Sequence, residues 1–354
     1  MTAPDPTLHR VHSVDAASFL AGLEDETIDC VVTSPPYPMV AMWDEQFARR
    51  DSVTACALNS GDGVTAYDGM HRQLSEVFQQ VYRLLRPGGL AAVNIGDATR
   101  SMGGRFRRYA NHSRLTTDCE AIGFDSLPMV LWRKSTNAPT KFMGSGMLPG
   151  GAYVTLEHEF ILVLRKPGQR SYPEGIRQRS AVFWEERNQW YSDLWTFPGA
   201  AQQTGPSGLE RRRSGAFPLE LPFRLIHMFS VQGDTILDPF LGTGTTALAA
   251  LAAGRNSLGL DEDARVVQTV SRRLFAELPA LAQRAGDRLQ QHRDFVARRS
   301  AQGMDPPRYC NTILDTPVVT RQERYLQVPE VHAVNAAGEG RFRGEYRWLA
   351  MPRE

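Results

Sequence analysis

The sequence predicts an α/β protein built on a doubly wound, mostly parallel sheet. Two apolar runs with the character of buried strands, residues 28–32 and 235–237, each lead directly into a turn-forming motif. The motifs are TSPPY at residues 33–37 and DPFLGTGTT at residues 238–246. Segments with helical spacing of apolar residues alternate with these strands, as a doubly wound sheet requires. Because functional groups in such sheets collect where parallel strands end, we expect the two motifs to form two halves of one site.

Composition narrows the class of protein. A chain of 354 residues that is 42% hydrophobic can bury one large core, or one core and a smaller module. No apolar run approaches the roughly 20 residues that span a bilayer, and the N-terminus lacks a basic stretch followed by an apolar one. We therefore expect a soluble, cytoplasmic protein. The four cysteines are widely scattered without a Cys-x-x-Cys pair, which predicts free thiols and no zinc site.

The elements of the first half follow from periodicity and turn residues. The predicted order is a strand at 11–15, a helix at 16–23, the strand at 28–32, a turn-rich insertion at 39–69, a helix at 71–85 and a strand at 90–95. The insertion lacks sustained periodicity and contains the run NSGDG at 59–63, so we expect a mobile loop beside the site. The run RPGG at 86–89 ends the helix before the next strand.

The remaining elements divide the chain into four segments. The predicted elements are a helix at 115–122, strands at 127–132 and 157–164, a helix ending near 229, a strand at 235–237, a helix at 245–253, a strand at 257–260 and a helix at 264–278. The predicted segments are 1–167 with the proline motif, 168–215, 216–278 with the glycine motif, and 279–354. The last begins with an arginine-rich helical pattern, continues into short β-like pieces, and receives no predicted role.

The glycine motif predicts a nucleoside-binding turn. Its glycines allow the chain to turn sharply from strand to helix and let backbone approach a ligand closely. The amides at the start of the following helix suit a carboxylate or hydroxyl partner. Asp261 ends the next predicted strand, where an acidic side chain can accept hydrogen bonds from ribose hydroxyls. Since Gly-x-Gly without a third matching glycine is a weak signal, a nicotinamide dinucleotide site stays open on this motif alone.

The order and spelling of both motifs resemble the amino-group DNA methyltransferases of the β class, in which the catalytic motif precedes the cofactor motif. The Thr-Ser-Pro-Pro-Tyr spelling is typical of the cytosine-N4 enzymes of that family, whereas its adenine-N6 enzymes usually carry Asp-Pro-Pro-Tyr. The resemblance covers residues 11–278. It implies a Rossmann-like methyltransferase sheet with circularly permuted motif order, and residues 168–215, which are rich in aromatic and basic side chains, are the candidate target-recognition region.

The resemblance also implies a cofactor and its site. S-adenosylmethionine is the expected cofactor, with Phe240, Gly242 and Gly244 along its body. Thr245 is expected at its amino-acid end, Asp261 at its ribose and Asp15 at its adenine. The full set of expected site residues is Ser34, Pro35, Pro36 and Tyr37 for catalysis, and Asp15, Asp238, Phe240, Gly242, Gly244, Thr245 and Asp261 for the cofactor, with no metal.

The proline motif suits methyl transfer to an amine. The lone pair of an exocyclic amine is delocalised into its base, so acceptors placed against both N–H groups are needed to direct that lone pair at the methyl. The Ser34 hydroxyl and the Pro35 carbonyl can supply them, and Tyr37 can stack on a base turned out of the duplex. A neutral serine is a weak base, so we expect the proton to leave mainly after transfer. No cysteine follows a proline, so the nucleophile of cytosine-C5 enzymes is missing.

DNA is the expected partner, with a cognate restriction endonuclease as a possible second. The net charge of +1 is nearly neutral, yet arginines cluster locally. The clusters are Arg100, Arg105, Arg107, Arg108 and Arg114; Arg211, Arg212 and Arg213; and Arg293, Arg298 and Arg299. The tryptophans of the candidate recognition region, Trp184, Trp190 and Trp195, are expected to pack rather than to wedge into DNA. His158 and Glu159 on a predicted strand are expected to be structural.

Two other functions stay open at this point. The first is an enzyme of the same fold that methylates adenine N6, or RNA. The second is a nucleic-acid-binding protein that has lost methyl transfer. The recognition sequence and the oligomeric state do not follow from the sequence.

Overall fold

A ten-stranded sheet with helices on both faces forms the centre of the protein. The computed structural model describes residues 3–134, 143–144, 148–200 and 217–349. In chain order, the strands are β1 (Thr7–Ser13), β2 (Ile28–Thr33), β3 (Leu85–Ile95), β4 (Ala98–Met102), β5 (Arg105–Tyr109), β6 (Asp125–Arg133), β7 (Met143–Gly144), β8 (Ala152–Tyr153), β9 (His158–Arg165), β10 (Leu194–Thr196), β11 (Thr235–Asp238), β12 (Asn256–Asp261), β13 (Tyr309–Asn311), β14 (Thr316–Val318), β15 (Pro329–Ala336) and β16 (Arg341–Trp348).

Helices connect these strands. They are α1 (Ala16–Ala21), α2 (Asp44–Arg50), α3 (Ser52–Ser60), α4 (Gly63–Leu84), α5 (Asn111–Ile122), α6 (Ile176–Arg179), α7 (Trp184–Trp190), α8 (Glu220–Phe229), α9 (Thr245–Ala253), α10 (Val266–Ala276) and α11 (Leu278–Ala301). No helix within the described ranges is long and apolar enough to cross a membrane.

The sheet has the strand order β10-β6-β9-β3-β2-β11-β12-β1-β16-β15. Its five central strands, from β3 to β1, are mutually parallel, while β9 and the C-terminal pair β15 and β16 are antiparallel to their neighbours. Every residue of β2 is buried, as a strand covered on both faces requires. The predicted doubly wound α/β fold is confirmed.

Each face of the sheet carries its own apolar core. Helices α8, α9 and α10 contribute to one core, and α1, α4 and α5 contribute to the other. Helix α9 is buried at every position because it consists of alanine, leucine and threonine and lies between the sheet and other helices. In contrast, α4 buries one apolar stripe that includes Leu74, Val77 and Val81, and its other side faces solvent. The helices therefore pack on both faces of the strands that lead into the two motifs.

The prediction of a mobile loop at 39–69 is wrong. The segment forms a short 3-10 turn, helices α2 and α3, and the start of α4. The side chains of Asp51 and Asp62 accept hydrogen bonds from backbone amides at the starts of α3 and α4. The glycine-rich run NSGDG is the junction between these helices, because Gly61 ends α3 in the left-handed region at φ +77°. Its turn residues mark helix ends, and α3 itself carries little amphipathic periodicity.

The C-terminal segment completes the sheet. Strand β16 pairs with β1, joining Thr7 to Gly344, and β15 pairs with β16. Helix α11 packs against α9 and β15. The sheet therefore continues past residue 278, where the sequence predicts the doubly wound unit to end. The four segment boundaries stay predictions.

The described part of the candidate recognition region packs against the C-terminal segment. Trp190 and Trp195 are 5% and 1% exposed, so their predicted packing role is confirmed. Glu186 in α7 binds Arg288 of α11 through two hydrogen bonds of 2.6 and 2.8 Å, both buried. Residues 201–216, including the arginines Arg211, Arg212 and Arg213, lie outside the described residues. All four cysteines are free thiols, as predicted.

Candidate active site

The two sequence motifs meet at one edge of the sheet. Strands β2 and β11 are parallel neighbours in which Val31 pairs with Leu237, and each strand runs into its motif. The Thr33 hydroxyl donates a hydrogen bond of 2.6 Å to the carboxylate of Asp238. The first residue of the proline motif thus bonds directly to the first residue of the glycine motif, and the convergence expected from the sequence is present.

Two adjoining cavities open where the motifs meet. The larger, of about 280 Å³, is lined by Ser34, Pro35, Tyr37, Val40, Met42, Trp43, Phe217, Asp238, Phe240, Leu241, Gly242, Thr243 and Thr245. The smaller, of about 120 Å³, is lined by Val14, Ala16, Ser34, Pro36, Trp43, Gln46, Phe47, Arg50, Gln73, Leu74, Val77, Pro239, Phe240, Gly242, Asp261 and Glu262. The two share Ser34, Trp43, Phe240 and Gly242, so a ligand that extends through both would pass the Ser34 side chain.

A further cavity, of about 240 Å³, lies at the opposite edge of the sheet. Its lining includes Gln232 and Gly233 ahead of β11, and Gly254 ahead of β12, with no residue of either motif. Ligands of open α/β sheets bind outside the carboxyl ends of the strands. We therefore place the site at the two adjoining cavities, because they lie at that edge and this one does not.

Hydrogen bonds fix the side chains of the proline motif. The Ser34 hydroxyl donates to the Tyr37 hydroxyl at 3.1 Å, and the Tyr37 hydroxyl donates to Glu159 Oε2 at 3.1 Å. Asn94 Nδ2 donates to the Tyr37 oxygen at 2.8 Å and to Glu159 Oε2 at 2.7 Å. Burial, together with the Glu159 carboxylate, raises the pKa of Tyr37 well above its usual value, so this phenol keeps its proton.

This arrangement changes the interpretation of Glu159. The sequence predicts His158 and Glu159 to be structural strand residues, yet the Glu159 carboxylate contacts the proline motif and forms an ion pair with Lys134. Strand β9 is antiparallel to β3, so the start of β9 lies beside the end of β3. Asn94 and Glu159 therefore meet at the edge that carries the site. A polar Asn94 within the apolar run LAAVNI was the available signal for this meeting.

The glycine motif forms a tight turn into α9. Gly242 and Gly244 have φ of +55° and +86°, in the left-handed region that favours glycine. A Cβ atom on Gly244 would lie 2.6 Å from the side chain of Val270, whereas one on Gly242 would meet no described atom within 4 Å. Gly244 is therefore required by packing, and Gly242 faces the open space of the cavities.

Two carboxylates, the buried Asp238 and the half-buried Asp261, hold the glycine turn. Asp238 accepts from Thr33 and, at 3.1 Å, from the amide of Phe240; burial raises its pKa to about 6. Asp261 ends β12 and accepts from the amide of Gly242 at 2.8 Å, so it ties the next strand to the turn. Burial also raises the pKa of Asp261. These carboxylates link the ends of β2, β11 and β12 at the wall of the cavities.

Asp15 lies beside the smaller cavity rather than in its lining. Its side chain caps α1 by accepting from the Ser18 amide at 2.8 Å, and it forms an ion pair with Arg50. Arg50 also pairs with Glu262, and both of these line the cavity. The role of Asp15 toward adenine stays a prediction. Sequence reasoning missed Arg50 and Trp43 because they belong to the segment predicted as a loop.

A group of acidic and histidine side chains lies away from this site. Glu185, His292 and Glu323 place their ligand atoms within 4.8 Å of one another. His292 already bonds Glu185 at 2.9 Å and the carbonyl of Pro317 at 2.9 Å, and Glu323 accepts from Thr320. Internal partners thus use these ligand atoms, and we assign no metal centre to them.

The fold and the site together define a class of protein: an α/β enzyme of the methyltransferase type, with a glycine turn and a proline turn in one cleft. Residues 28–272, more than half of the chain, match the family described as DNA methylase. The chain belongs to this family, and its expected resemblance to DNA methyltransferases is confirmed at that level.

Two relatives described as Type II methyltransferases support this membership. Type II methyltransferase M.MthZI of Methanothermobacter thermautotrophicus is 42% identical over 328 residues, which cover 91% of this chain and 90% of the relative. Type II methyltransferase M.MjaI of Methanocaldococcus jannaschii is 45% identical over 270 residues, which cover 73% of this chain and 88% of the relative.

Solved structures show the same fold. TTHA0409 of Thermus thermophilus, in complex with S-adenosyl-L-methionine, is 32% identical with a TM-score of 0.60; the match covers 77% of this chain and 95% of that one. The cytosine-N4-specific PvuII DNA methyltransferase has a TM-score of 0.55 over 77% of this chain and 89% of that one. At 17% identity, the second likeness concerns the fold alone.

Proposed function

We propose that this DNA methyltransferase transfers the methyl group of S-adenosylmethionine to the exocyclic N4 amine of an extruded cytosine. S-adenosylmethionine is the cofactor of the family. The choice of cytosine rests on the neutral Ser34 hydroxyl, since Ser34 lines both adjoining cavities. Adenine-N6 enzymes of the family usually carry an aspartate at this position, and a serine here favours the cytosine amine.

The residues of the site suit this reaction. The Ser34 hydroxyl oxygen and the Pro35 carbonyl can each accept one N–H of the target amine, which directs the nitrogen lone pair toward the sulfonium methyl. Both residues line the larger cavity, and Tyr37 lines it beside them. The consecutive prolines restrict the backbone φ angles and so limit the directions in which the carbonyl can point. A transfer in line between two held reactants needs no covalent intermediate with the protein.

S-adenosylmethionine would extend across both cavities. We assign its ribose to Asp261 in the smaller cavity, and its amino-acid end to Thr245 in the larger one. Phe240 and Gly242 line both cavities and would flank the sulfonium centre between these ends. The adenine would then lie against the apolar side chains Phe47 and Val77, with Asp15 at the edge of its pocket. This arrangement would point the methyl group toward Ser34, which lines both cavities.

We assign DNA backbone contacts to the hairpin of β4 and β5. It follows Asp97 at the end of β3, so it rises from the edge of the sheet that carries the site. Arg105 and Arg108 are exposed on it, and Phe106 stacks on Tyr153 at 4.8 Å with both rings exposed. Guanidinium groups suit phosphates, and exposed aromatic rings suit bases. Arg108 also pairs with Asp97 at 3.4 Å while staying 56% exposed, and Arg100 and Arg114 are held by the carboxylates of neighbouring helices.

The target base is tested by its product. DNA methylated by the purified protein is digested to nucleosides, and the methylated nucleoside is identified by mass spectrometry. The proposal expects N4-methylcytosine. N6-methyladenine would reject the cytosine assignment while leaving the site in place, and the absence of any methylated nucleoside would reject methyl transfer to DNA.

The site itself is tested by replacing Ser34. Ser34→Ala removes one acceptor for the target amine and should lower kcat by about 10²-fold or more, with the melting temperature unchanged. Ser300→Ala is the matched control, because Ser300 is exposed on α11 and its hydroxyl bonds only the Val296 carbonyl within the described residues. Full activity in Ser34→Ala at normal stability would reject the assignment.

A recognition sequence and a cognate restriction endonuclease complete the proposal. Both named relatives carry the description Type II methyltransferase, which favours a site-specific partner nuclease for this chain. Sequencing the methylated positions in DNA from cells that express the protein would give the recognition sequence. The same DNA should resist an endonuclease of that specificity, and cleavage at fully methylated sites would contradict a protective role.

A further inference from the structure

Glu159, on strand β9, accepts hydrogen bonds from side chains in and beside the proline motif. Glu159 Oε2 receives two hydrogen bonds, one from Tyr37 and one from Asn94. Its other oxygen, Oε1, pairs with Lys134, and only 14% of its side chain is exposed. A carboxylate paired with a lysine can only accept hydrogen bonds, so both groups that face Oε2 must donate to it.

The Tyr37 hydroxyl has one proton and two lone pairs. The proton is used toward Glu159, and one lone pair accepts from the Asn94 amide at 2.8 Å. One lone pair stays available, and the Ser34 hydroxyl lies 3.1 Å away. The Ser34 proton must therefore point at Tyr37, and the Ser34 lone pairs turn toward the cavity.

We propose that Glu159 is a positioning residue that acts through the Tyr37 hydroxyl to hold Ser34 Oγ as a hydrogen-bond acceptor toward the target amine. This inference rests on the proposed role of Ser34 as the acceptor of an amine N–H. Without Glu159, the Tyr37 proton could turn to Ser34, and the Ser34 proton would then point at the amine. Two donors would face each other, and the lone pair of the amine would lose its orientation.

The packing keeps this chain of groups in place. Asn94 is 1% exposed and its amide donates to both Tyr37 and Glu159. A Cβ atom on Gly96 would lie 2.9 Å from the Tyr37 ring and 3.3 Å from Glu159 Cγ, so backbone closes directly over both side chains. The Lys134 ammonium also lies 4.7 Å from the centre of the Trp132 ring, and this cation–π contact keeps it beside Glu159.

The first test is Glu159→Gln, which keeps the shape of the side chain but introduces an N–H donor. It should lower kcat by about ten- to a hundred-fold, less than the 10²–10³-fold typical of a group that contacts the reacting atoms. The KM values for S-adenosylmethionine and DNA should stay within about threefold of the wild type, because the inferred role concerns the transfer step rather than ground-state binding. Glu157→Gln is the matched control, since this neighbouring carboxylate pairs with Arg133 and is 40% exposed. A wild-type kcat in Glu159→Gln, or a loss confined to KM, would overturn the inference.

A double-mutant cycle with Tyr37→Phe separates positioning from general structural support. The phenylalanine keeps the aromatic face but removes the hydroxyl that carries the effect. Glu159→Gln should therefore lower kcat in the wild-type background and change it less than about twofold in the Tyr37→Phe background. Equal losses in both backgrounds would show that Glu159 acts independently of Tyr37 and would overturn the inference.

A second cycle tests the same hydrogen bonds, and the identity of the product distinguishes a failure of this inference from a failure of the cytosine assignment. Should Glu159→Gln unfold, the cycle of Tyr37→Phe with Ser34→Ala replaces it. Tyr37→Phe should lower kcat when Ser34 is present and leave it unchanged when Ser34 is absent. An equal loss in both backgrounds would show that Tyr37 does not act through Ser34 and would overturn the inference. A product of N6-methyladenine would reject cytosine yet leave the coupling between Glu159 and Tyr37 intact.

Discussion

The two glycines of the cofactor turn should respond differently to the same added methyl group. Gly244→Ala places a Cβ atom 2.6 Å from Val270, a buried residue of α10, and forces an alanine into φ +86°. Gly242→Ala places its Cβ atom in space that no described atom occupies within 4 Å, at φ +55°. The first change should therefore affect folding, and the second should affect cofactor binding.

The magnitudes follow from these two geometries. A left-handed conformation costs an alanine about 1–2 kcal/mol relative to glycine, and this contribution applies to both variants. Overpacking of a closed core costs a further ~1–3 kcal/mol, and only Gly244→Ala incurs it. We expect the free energy of unfolding to fall by about 2–5 kcal/mol for Gly244→Ala and by about 1–2 kcal/mol for Gly242→Ala.

Urea unfolding and calorimetric titration with S-adenosylmethionine separate the two effects. Gly242→Ala should weaken cofactor binding by tenfold or more, since about 1.4 kcal/mol of steric conflict suffices for that factor. Adding Val270→Ala to Gly244→Ala should recover part of the lost stability, because it removes the two γ-methyl groups that the new Cβ approaches most closely. Equal losses of stability in the two alanine variants, or unchanged cofactor affinity in Gly242→Ala, would refute this reasoning.

Three further predictions concern stability and DNA binding. Burial lowers the pKa of His9 from 6.5 to about 3, so the unfolded chain binds this proton first and stability falls below pH 6.5. Burial also lowers the pKa of His71 and His227, so His9→Gln should reduce, by about 1.5 kcal/mol, the stability that urea unfolding shows to be lost between pH 6.5 and 5. An unchanged loss in His9→Gln would contradict this assignment. Thr33→Val removes the hydrogen bond to Asp238 and should lower the free energy of unfolding by about 1.5–3 kcal/mol at pH 8. The loss should be smaller at pH 5, because the pKa of Asp238 is about 6 and its carboxyl is then protonated. An equal loss at both pH values would contradict this interpretation. Arg105→Ala should reduce the salt dependence of DNA binding by about one phosphate contact, whereas Arg347→Ala on β16 should leave the slope unchanged.

The strands and helices beside the motifs could be predicted because local signals define them. The sequence places a helix at 245–253, and the structure has it at those residues. Its glycine turn and its run of alanine and leucine are sufficient signals without knowledge of the rest of the chain. The strand predicted at 28–32 is likewise present and extends to Thr33, the residue that bonds to the second motif.

Features that depend on distant pairing could not be predicted. Strand β16 joins β1 across more than 300 residues, and no local pattern specifies such a partner or register. Glu159 reaches the site only because β9 is antiparallel to β3, which brings the start of one strand to the end of the other. Helix α3 was missed because its sequence, SVTACALNS, has weak amphipathic character and is identified mainly by its Asp51 cap.

A structure of the protein with S-adenosylmethionine or an unreactive analogue and a DNA duplex containing the recognition sequence tests the central claim most directly. We predict an extruded cytosine in the larger cavity, with its N4 amine donating to Ser34 Oγ and lying about 3–3.5 Å from the position of the transferable methyl group. A target base held away from the Ser34 and Tyr37 side chains, or a cofactor bound outside the turn that contains Gly242, would contradict it.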